Sequence, residues 1–449
     1  MSHLDELKCM DSLFDALYPL CRSIMGEGLR KSFDILREYI PLEMLHFKTG
    51  EQVLNWTVPR EWVIRDAWIK DEYGNKILDF KDSNLHVINY TTKIHEMVNL
   101  QTLKEHTYTL PELPEAIPYV TSYYKERWGF CMQYERYKNL QEGTYEVFID
   151  SELKEGTLEV GHTILKGNID KEILLSAYLC HPSMANNELS GPIVLAMLYN
   201  RIKKWESRNL TYRFVVNPET IGSIAYLSRY GQELKDKMYS GLVLTCMGGD
   251  TSLRYKMSRK ENTPINEVID YLINTNSVNI RKEGFTPLYG SDERQYCSPG
   301  FNLPVGQMAR LSYGSYPEYH TSLDNKELMG IENLLKSVDE LEKILLILDN
   351  NGYYINKKTY GEVKLSDYDL YPTLNCNDSR GASTDENLES RQFLNSILML
   401  LSYSDGYNNL IDIATRLGYN IEKIIPIVAL LKQKGLLEGP YYFKGEKTV

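Results

Sequence analysis

The stretch that most restricts the fold is Leu174–Gly191, LLSAYLCHPSMANNELSG. An apolar, mostly strand-compatible run stops abruptly at Cys180-His181-Pro182. A short polar loop follows, and Ser190-Gly191 opens a helix-like segment, PIVLAMLYNRIKK. A strand that delivers a histidine at its carboxyl end, beside a turn and a helix start, is where open α/β sheets build ligand and metal sites. The neutral imidazole of His181 can offer a nitrogen to zinc, and Asn187 and Glu188 are oxygen donors a few residues away. A lone histidine there is more often tied to a backbone carbonyl, but this one has company further along the chain.

The same texture repeats around it. From about 158 to 350, apolar strand-like runs alternate with amphipathic helical ones: EILLSAYLC, PIVLAMLYNRIKK, TYRFVVNP, IGSIAYLSRYG, GLVLTCMGG and IENLLKSVDELEKILLIL. This alternation predicts a mainly parallel sheet covered by helices. Residues 1–43 read as helices broken by a Gly-Glu-Gly turn at 26–28. Their apolar faces are too large for a small β module to cover, so they are expected to pack on the α/β sheet. Residues 44–157 change to short alternating segments such as EWVIRDAWIKD and LHVINY, with a hairpin signal at Glu72-Tyr73-Gly74-Asn75. They predict an inserted β-rich domain. The α/β domain then runs over 158–370 and a helical tail over 371–449.

A chain of 449 residues is too long for one core, and 43% hydrophobic with 25% charged residues is ordinary for a globular protein. The net charge of -11 argues against a general nucleic-acid surface, which would be basic. The amino-terminal segment is amphipathic and charged, and no apolar run reaches membrane-spanning length, so a cytoplasmic protein is expected. The seven cysteines (9, 21, 131, 180, 246, 297 and 376) include no CxxC pair, which predicts mostly buried free thiols and no disulfide framework. The 34 tyrosines are many for this length, and the motifs leave them without a role.

Three further pieces fall where His181 needs partners. Val215-Val216-Asn217-Pro218-Glu219 is again a strand ending in a polar turn, now with a carboxylate that can ligate a metal, act as general base or cap the next helix. The strand GLVLTCMGGD brings Cys246 or Asp250 toward the same edge. Tyr316-Pro317-Glu318-Tyr319-His320-Thr321-Ser322-Leu323-Asp324 puts a histidine in a loop just before a long helix. Two histidines at separate strand or loop ends, with a glutamate between them, form the pattern of a metallohydrolase assembled from several βα loops.

The order of these motifs resembles the co-catalytic zinc aminopeptidases. Ala185-Asn186-Asn187-Glu188-Leu189-Ser190-Gly191 is similar to that family's Ala-Asn-Asp-Asn-Ala-Ser-Gly loop, and Tyr319–Asp324 to its Tyr-His-Thr-x-x-Asp segment. Ser291-Asp292 followed by Gly300-Phe301-Asn302-Leu303-Pro304 resembles its Ser-Asp…Gly-x-Pro strand. With VPREW at 58–62, the chain looks like a group of bacterial aminopeptidase-like proteins with an inserted β module and a carboxyl-terminal winged helix. The resemblance implies a zinc-exopeptidase-like, mainly parallel mixed sheet with helices on both faces.

It also implies a site. His181, Asn187, Glu219, Cys246 and His320 align with metal-ligand positions, and Glu219 or Glu188 would serve as catalytic base. From their position in the chain alone, and not from the resemblance, Asp292 and Arg294 are expected to bind substrate charges, and Tyr316 and Tyr319 to steady an oxyanion. Two departures bear on the metal. Asn187 stands where the family has its bridging aspartate, and an amide neutralises no charge between two ions. The family's Glu-Glu pair is reduced to Pro218-Glu219. One zinc ion is therefore expected rather than two, in a hydrolase acting on a small peptide or amino-acid-derived substrate. The alternative is a catalytically weak or inactive peptidase-fold protein with a binding or regulatory role.

The tail supplies the last expectation. NLIDIATRLG followed by NIEKIIPIVALLKQKGLLEG resembles a winged helix-turn-helix. Residues 385–449 hold seven Lys or Arg against eight Asp or Glu, too neutral for phosphate contacts. Self-association or a protein partner is expected there ahead of nucleic acid.

Overall fold

Helix α1 (His3–Leu17) begins at Ser2, whose side chain and that of Asp5 form a capping box, and turns Met10, Leu13, Phe14 and Leu17 inward. The computed structural model describes residues 2–371 and 385–447, so Cys376 and the connector around it lie outside the described residues. The chain divides into two compact units, Met1–Asn266 with Asn279–Glu342, and Glu267–Val278 with Lys343–Val449.

The first unit is built on an eight-stranded sheet. Its strands are β1 (Glu43–Lys48), β2 (Thr157–Leu165), β3 (Glu172–Tyr178), β4 (Thr211–Asn217), β5 (Met238–Leu244), β6 (Leu253–Lys256), β7 (Ile280–Glu283) and β8 (Val305–Ala309). Their order is β1-β2-β4-β3-β5-β8-β6-β7. The centre, β4-β3-β5-β8, is parallel; β1 and β2 join antiparallel at one side and β6 meets β8 antiparallel at the other. Every residue of β3 and β4 is buried, as expected for parallel strands covered on both faces. The mainly parallel mixed sheet expected from the sequence is therefore present.

Helix α2 (Glu27–Leu36) follows α1, and helix α3 (Ser190–Ile202) is the crossover after β3. Gly191, in its first turn, permits close packing: a Cβ there would lie 2.5 Å from the Leu244 carbonyl oxygen. The amino-terminal segment meets this layer through side-chain contacts. Arg201 on α3 donates to both Glu6 oxygens, at 2.9 and 2.6 Å, and Asn200 Nδ2 donates to the Tyr39 carbonyl.

Between β1 and β2 the chain builds a four-stranded antiparallel sheet in the order Lys76–Asp79, Glu61–Lys70, Thr144–Lys154, Ile94–Asn99. Because β1 pairs with β2 in the large sheet, residues 44–48 belong to that sheet, although their texture groups them with the insert. In the second unit, strands Tyr353–Asn356, Asp405–Asn409 and Leu437–Tyr441 form a three-stranded sheet beside helices Asp385–Tyr403, Leu410–Leu417 and Ile421–Gln433. Its first strand lies well before residue 371. Four letters of extended sequence, YYIN, after a long helix carry no winged-helix signature by themselves.

One buried ion network ties the sheet interior. Arg213 on β4 donates to both oxygens of Glu172 on β3, at 2.6 and 3.0 Å, to Glu233 at 2.6 Å and to the Tyr226 hydroxyl at 2.9 Å. Arg213 and Glu172 side chains are each 1% exposed. Removing one member strands the other charge, so Arg213→Met is expected to cost about 3 kcal/mol. Glu233→Gln, whose partner keeps Glu172, is expected to cost under about 1 kcal/mol. Urea unfolding of the two variants checks the contrast.

Candidate functional site

Four chain reversals at the carboxyl edge of the large sheet carry the site. His181 follows β3, Glu219 follows β4, Cys246 follows β5, and His320 sits in the loop after β8. Each reversal holds a non-glycine residue at positive φ: Ser183 at 49°, Thr220 at 65°, Cys246 at 51° and His320 at 59°. Such backbone costs energy and persists where the surroundings over-determine it, commonly at functional sites.

His181 is clamped from one side. Its Nδ1 meets Glu188 Oε2 at 2.6 Å, and Cys180 Sγ lies 3.4 Å from the same nitrogen. The other Glu188 oxygen accepts the Cys180 backbone N–H, and Arg22 Nε donates to the His181 carbonyl at 3.0 Å. Burial opposes protonation of His181, but Cys180 and the Glu188 carboxylate outweigh it and its pKa rises well above the ordinary histidine range. The clamp leaves Nε2 facing Glu219, whose Oε2 is 3.8 Å away. Glu219 Oε1 accepts from Ser291 Oγ at 2.6 Å. Burial raises the Glu219 pKa against the pull of His181 and Ser291.

His320 is held by rings. It stacks on Tyr319 at 3.9 Å and 13°, meets Tyr119 edge-on at 5.3 Å, and its ring centre is 5.3 Å from that of His181. Burial, then the nearby His181, lower its pKa to about 3, so the ring is neutral. Its Nε2 is buried without a hydrogen-bond partner, and so is Asn187 Oδ1. The Asn187 amide is fixed by donation from Nδ2 to the Tyr178 hydroxyl at 2.9 Å. Cys246 is fully buried, and burial pushes its thiol up to about 12.

The structure redistributes the other sequence candidates. Glu188 lies behind His181 with both oxygens occupied, so it orients the imidazole and is not placed to act as base. Asp292 accepts from Asn217 Nδ2 at 2.8 Å, the Thr220 N–H at 2.7 Å and Ser223 Oγ at 2.9 Å. With its oxygens committed to the Glu219 turn, it has none left for a substrate ammonium. Burial, then the neighbouring Glu219, raise its pKa to about 7. Arg294 sits behind the same turn, donating to the Ser291 carbonyl at 3.2 Å, and its charge favours ionised Glu219. Tyr316 donates its hydroxyl to Asp324 at 3.2 Å, which takes it out of oxyanion binding; Tyr319 stacks on His320.

His181, Glu219 and His320 line one cavity of about 320 Å³. They do not form a closed ligand cage. Among the described residues, the group whose His, Cys or carboxylate donor atoms all lie within 4.8 Å of one another is Cys180, His181 and Glu188. The reason is the clamp: it draws Nδ1 of His181 to Glu188 and presents only Nε2 to the cavity. The donor set still fits a cation: of two unpartnered buried atoms, Asn187 Oδ1 offers a lone pair, and His320 Nε2 offers one in the tautomer with the proton on Nδ1. The sequence missed the cavity's aromatic wall, Trp56, Tyr119, Tyr123 and Tyr124. The run Tyr119-Val120-Thr121-Ser122-Tyr123-Tyr124 was its visible sign.

A doubly covered mixed sheet with histidine and glutamate at its carboxyl edge, followed by a winged helix, defines an aminopeptidase-like α/β protein. The chain belongs to the DUF4910 family, described as a domain of unknown function, whose model matches residues 11–351. A winged helix-turn-helix model matches residues 353–439. A protein of Clostridium acetobutylicum, provisionally named a polysaccharide biosynthesis protein with an aminopeptidase-like domain, is 38% identical over 92% of both chains. A crystal structure from the same organism, provisionally named a peptidase, superposes with a TM-score of 0.84 at 35% identity, over 97% of this chain and 98% of that one. A zinc aminopeptidase from Bacillus subtilis shares the fold at a TM-score of 0.57 and 11% identity, over 77% of this chain and 94% of that one.

The loop that presents Asn187 hangs on one carboxylate. Asp324 accepts from the backbone N–H groups of Asn186 at 2.6 Å and Asn187 at 2.9 Å. Asp324→Asn would set an amide NH2 against one of them and is expected to cost about 1–3 kcal/mol. Hydrogen exchange at Asn186 and Asn187 should then quicken by about tenfold or more, with the strand amides of β3 unchanged.

Proposed function

We propose that this protein is a metal-dependent, aminopeptidase-type hydrolase that cleaves an amide bond in a small peptide or modified amino acid, using one zinc-class ion. The observation that carries the reading is the pair of buried, unpartnered lone-pair atoms, His320 Nε2 and Asn187 Oδ1, at the edge where His181 Nε2 faces Glu219. His181 and His320 would hold the ion, with Asn187 as a neutral oxygen donor and Cys246 as a further ligand. Zinc at such a site polarises a carbonyl and lowers the pKa of water.

The chain's own residues supply the rest. Ser291 fixes Glu219 Oε1, leaving Oε2 toward the cavity to accept a proton from water and return it to the departing amine. Glu188 holds the His181 ring so that Nε2 is the exposed nitrogen. Tyr319 would steady the oxyanion. A cytoplasmic setting, in which thiols stay reduced, suits the six free cysteines among the described residues. No helix among the described residues is long and apolar enough to cross a membrane. The near-neutral winged helix suits self-association or a protein partner ahead of nucleic acid.

A second reading keeps the fold without turnover. Asn187 is locked as an amide by Tyr178, and the donor atoms do not close into a cage, which suits a binding or regulatory protein acting through the winged helix. Metal analysis of chelator-free protein separates the readings. About one zinc per chain is expected, lost in His181→Ala and in His320→Ala; full occupancy in both would discard this site.

Asn187→Asp restores a charge between two ion positions and is expected to raise affinity for a second divalent ion. It should also raise amide turnover, and Glu219→Gln should abolish that gain. Turnover unmoved by both substitutions in metal-loaded protein would favour the binding-protein reading.

A further inference from the structure

The cavity's lining divides by origin. Its polar floor, with Cys180, His181, Glu219 and His320, comes from the large sheet's edge, whereas Trp56, Tyr119, Tyr123 and Tyr124 come from the insert between β1 and β2. The insert is fastened over the site. The Tyr119 N–H donates to the His320 carbonyl at 2.8 Å, the Ile117 N–H to Ser322 Oγ at 2.9 Å, and the Ser322 N–H to the Ile117 carbonyl at 2.9 Å. Tyr119 and Tyr123 spend their hydroxyls on each other at 2.7 Å, and the Tyr119 ring lies 5.1 Å from that of His181.

Trp56 and Tyr124 are different. They are 38% and 60% exposed and meet edge to face with ring centres 5.7 Å apart. Two large aromatics side by side at the rim of a polar cavity leave apolar ring faces open to whatever enters it.

Charge narrows what that can be. The lining contains no lysine, arginine or aspartate, and its one carboxylate is Glu219. Nearby acids are committed elsewhere: Asp292 to three donors, Asp324 to the Asn187 loop, and Glu188 to His181 and Cys180. A free ammonium entering the cavity has only Glu219 to pair with. An ammonium held there occupies Oε2, the one oxygen of Glu219 that Ser291 leaves open to the cavity. An uncharged group leaves Glu219 to its task.

We propose that the substrate presents its amide beside an uncharged ring: an N-acylated, ring-bearing amine or amino acid whose ring lies on Trp56 and Tyr124. The inference rests on the hydrolase reading for its chemistry. Water adds its oxygen to the acyl carbon and the C–N bond breaks. Glu219 takes a proton from water and delivers it to the nitrogen, leaving a carboxylic acid and a ring-bearing amine. The insert is then the specificity element of the site.

The test uses the full-length, zinc-loaded chain with N-acetylphenylalaninamide, phenylalaninamide, N-acetylglycinamide and N-acetylglucosamine, measured by calorimetry and by amine or acid release. Cleavage of N-acetylphenylalaninamide is expected to exceed that of phenylalaninamide by about tenfold or more in kcat/KM, because the ammonium of the latter occupies Glu219. Trp56→Ala and Tyr124→Ala should each weaken binding of N-acetylphenylalaninamide several-fold, Tyr124→Phe should preserve it, and N-acetylglycinamide should be indifferent to all three. N-acetylglucosamine, if it shows the same sensitivity, assigns a saturated ring; if only the phenyl compound does, an aromatic one.

Faster cleavage of phenylalaninamide than of its N-acetyl form, indifference to Trp56→Ala and Tyr124→Ala, or no binding by either N-acetylated ring compound overturns the proposal. Ring-dependent binding without any amide cleavage would overturn the hydrolase reading and leave the ring site standing. Cleavage that prefers the free ammonium and ignores Trp56 would do the reverse.

Discussion

The contact between Glu188 and His181 is the constraint on which the rest of the site depends. A histidine has two ring nitrogens and can face a cavity with only one; a 2.6 Å bond to a fully buried carboxylate decides which. That choice brings Nε2 toward Glu219 and fixes where a cation would have to sit. The buried carboxylate is tolerable because it accepts the Cys180 N–H and lies within the field of Arg22. Arg22 belongs to the amino-terminal helical segment, so that segment is part of the site's electrostatics as well as of the fold's outer layer.

Much of the fold was legible because it rests on periodicity. The runs EILLSAY and TYRFVVN are apolar almost throughout, and burial on both faces of a parallel strand requires that. Ser190-Gly191 could be read as a helix start, and its glycine is needed where α3 meets the Leu244 carbonyl. The edge strand β1 was not legible. Its residues, EMLHFK, alternate like those of the insert, and only pairing with β2, over a hundred residues later, assigns them to the large sheet.

The site was legible one residue at a time but not as an arrangement. His181, Glu219, Cys246 and His320 fall at the sheet edge, where strand ends said they would. Carboxylates were harder to place. Glu188, Asp292 and Glu219 are all acids in polar turns, and nothing local distinguishes an oxygen facing a cavity from one spent on backbone N–H groups. Only the count of donors around each separates them: three on Asp292 and two on Glu188, against one serine and an open side on Glu219. The tyrosines of the insert were visible as a run but not as a wall of the site, since their place there comes from a contact between residue 119 and residue 320.

That contact has a consequence for how the protein can change. The backbone bonds linking Ile117–Tyr119 to His320–Ser322 make the insert a splint for the loop that carries His320. The left-handed His320 has no hydrogen-bond partner at Nε2, and its ring is held by contacts with Tyr319, Tyr119 and His181, one of them from the insert. Mutations that loosen the insert, however far from the histidines along the chain, would therefore reach the cavity by releasing one wall of it. The insert and the edge that carries His320 therefore act mechanically as one piece.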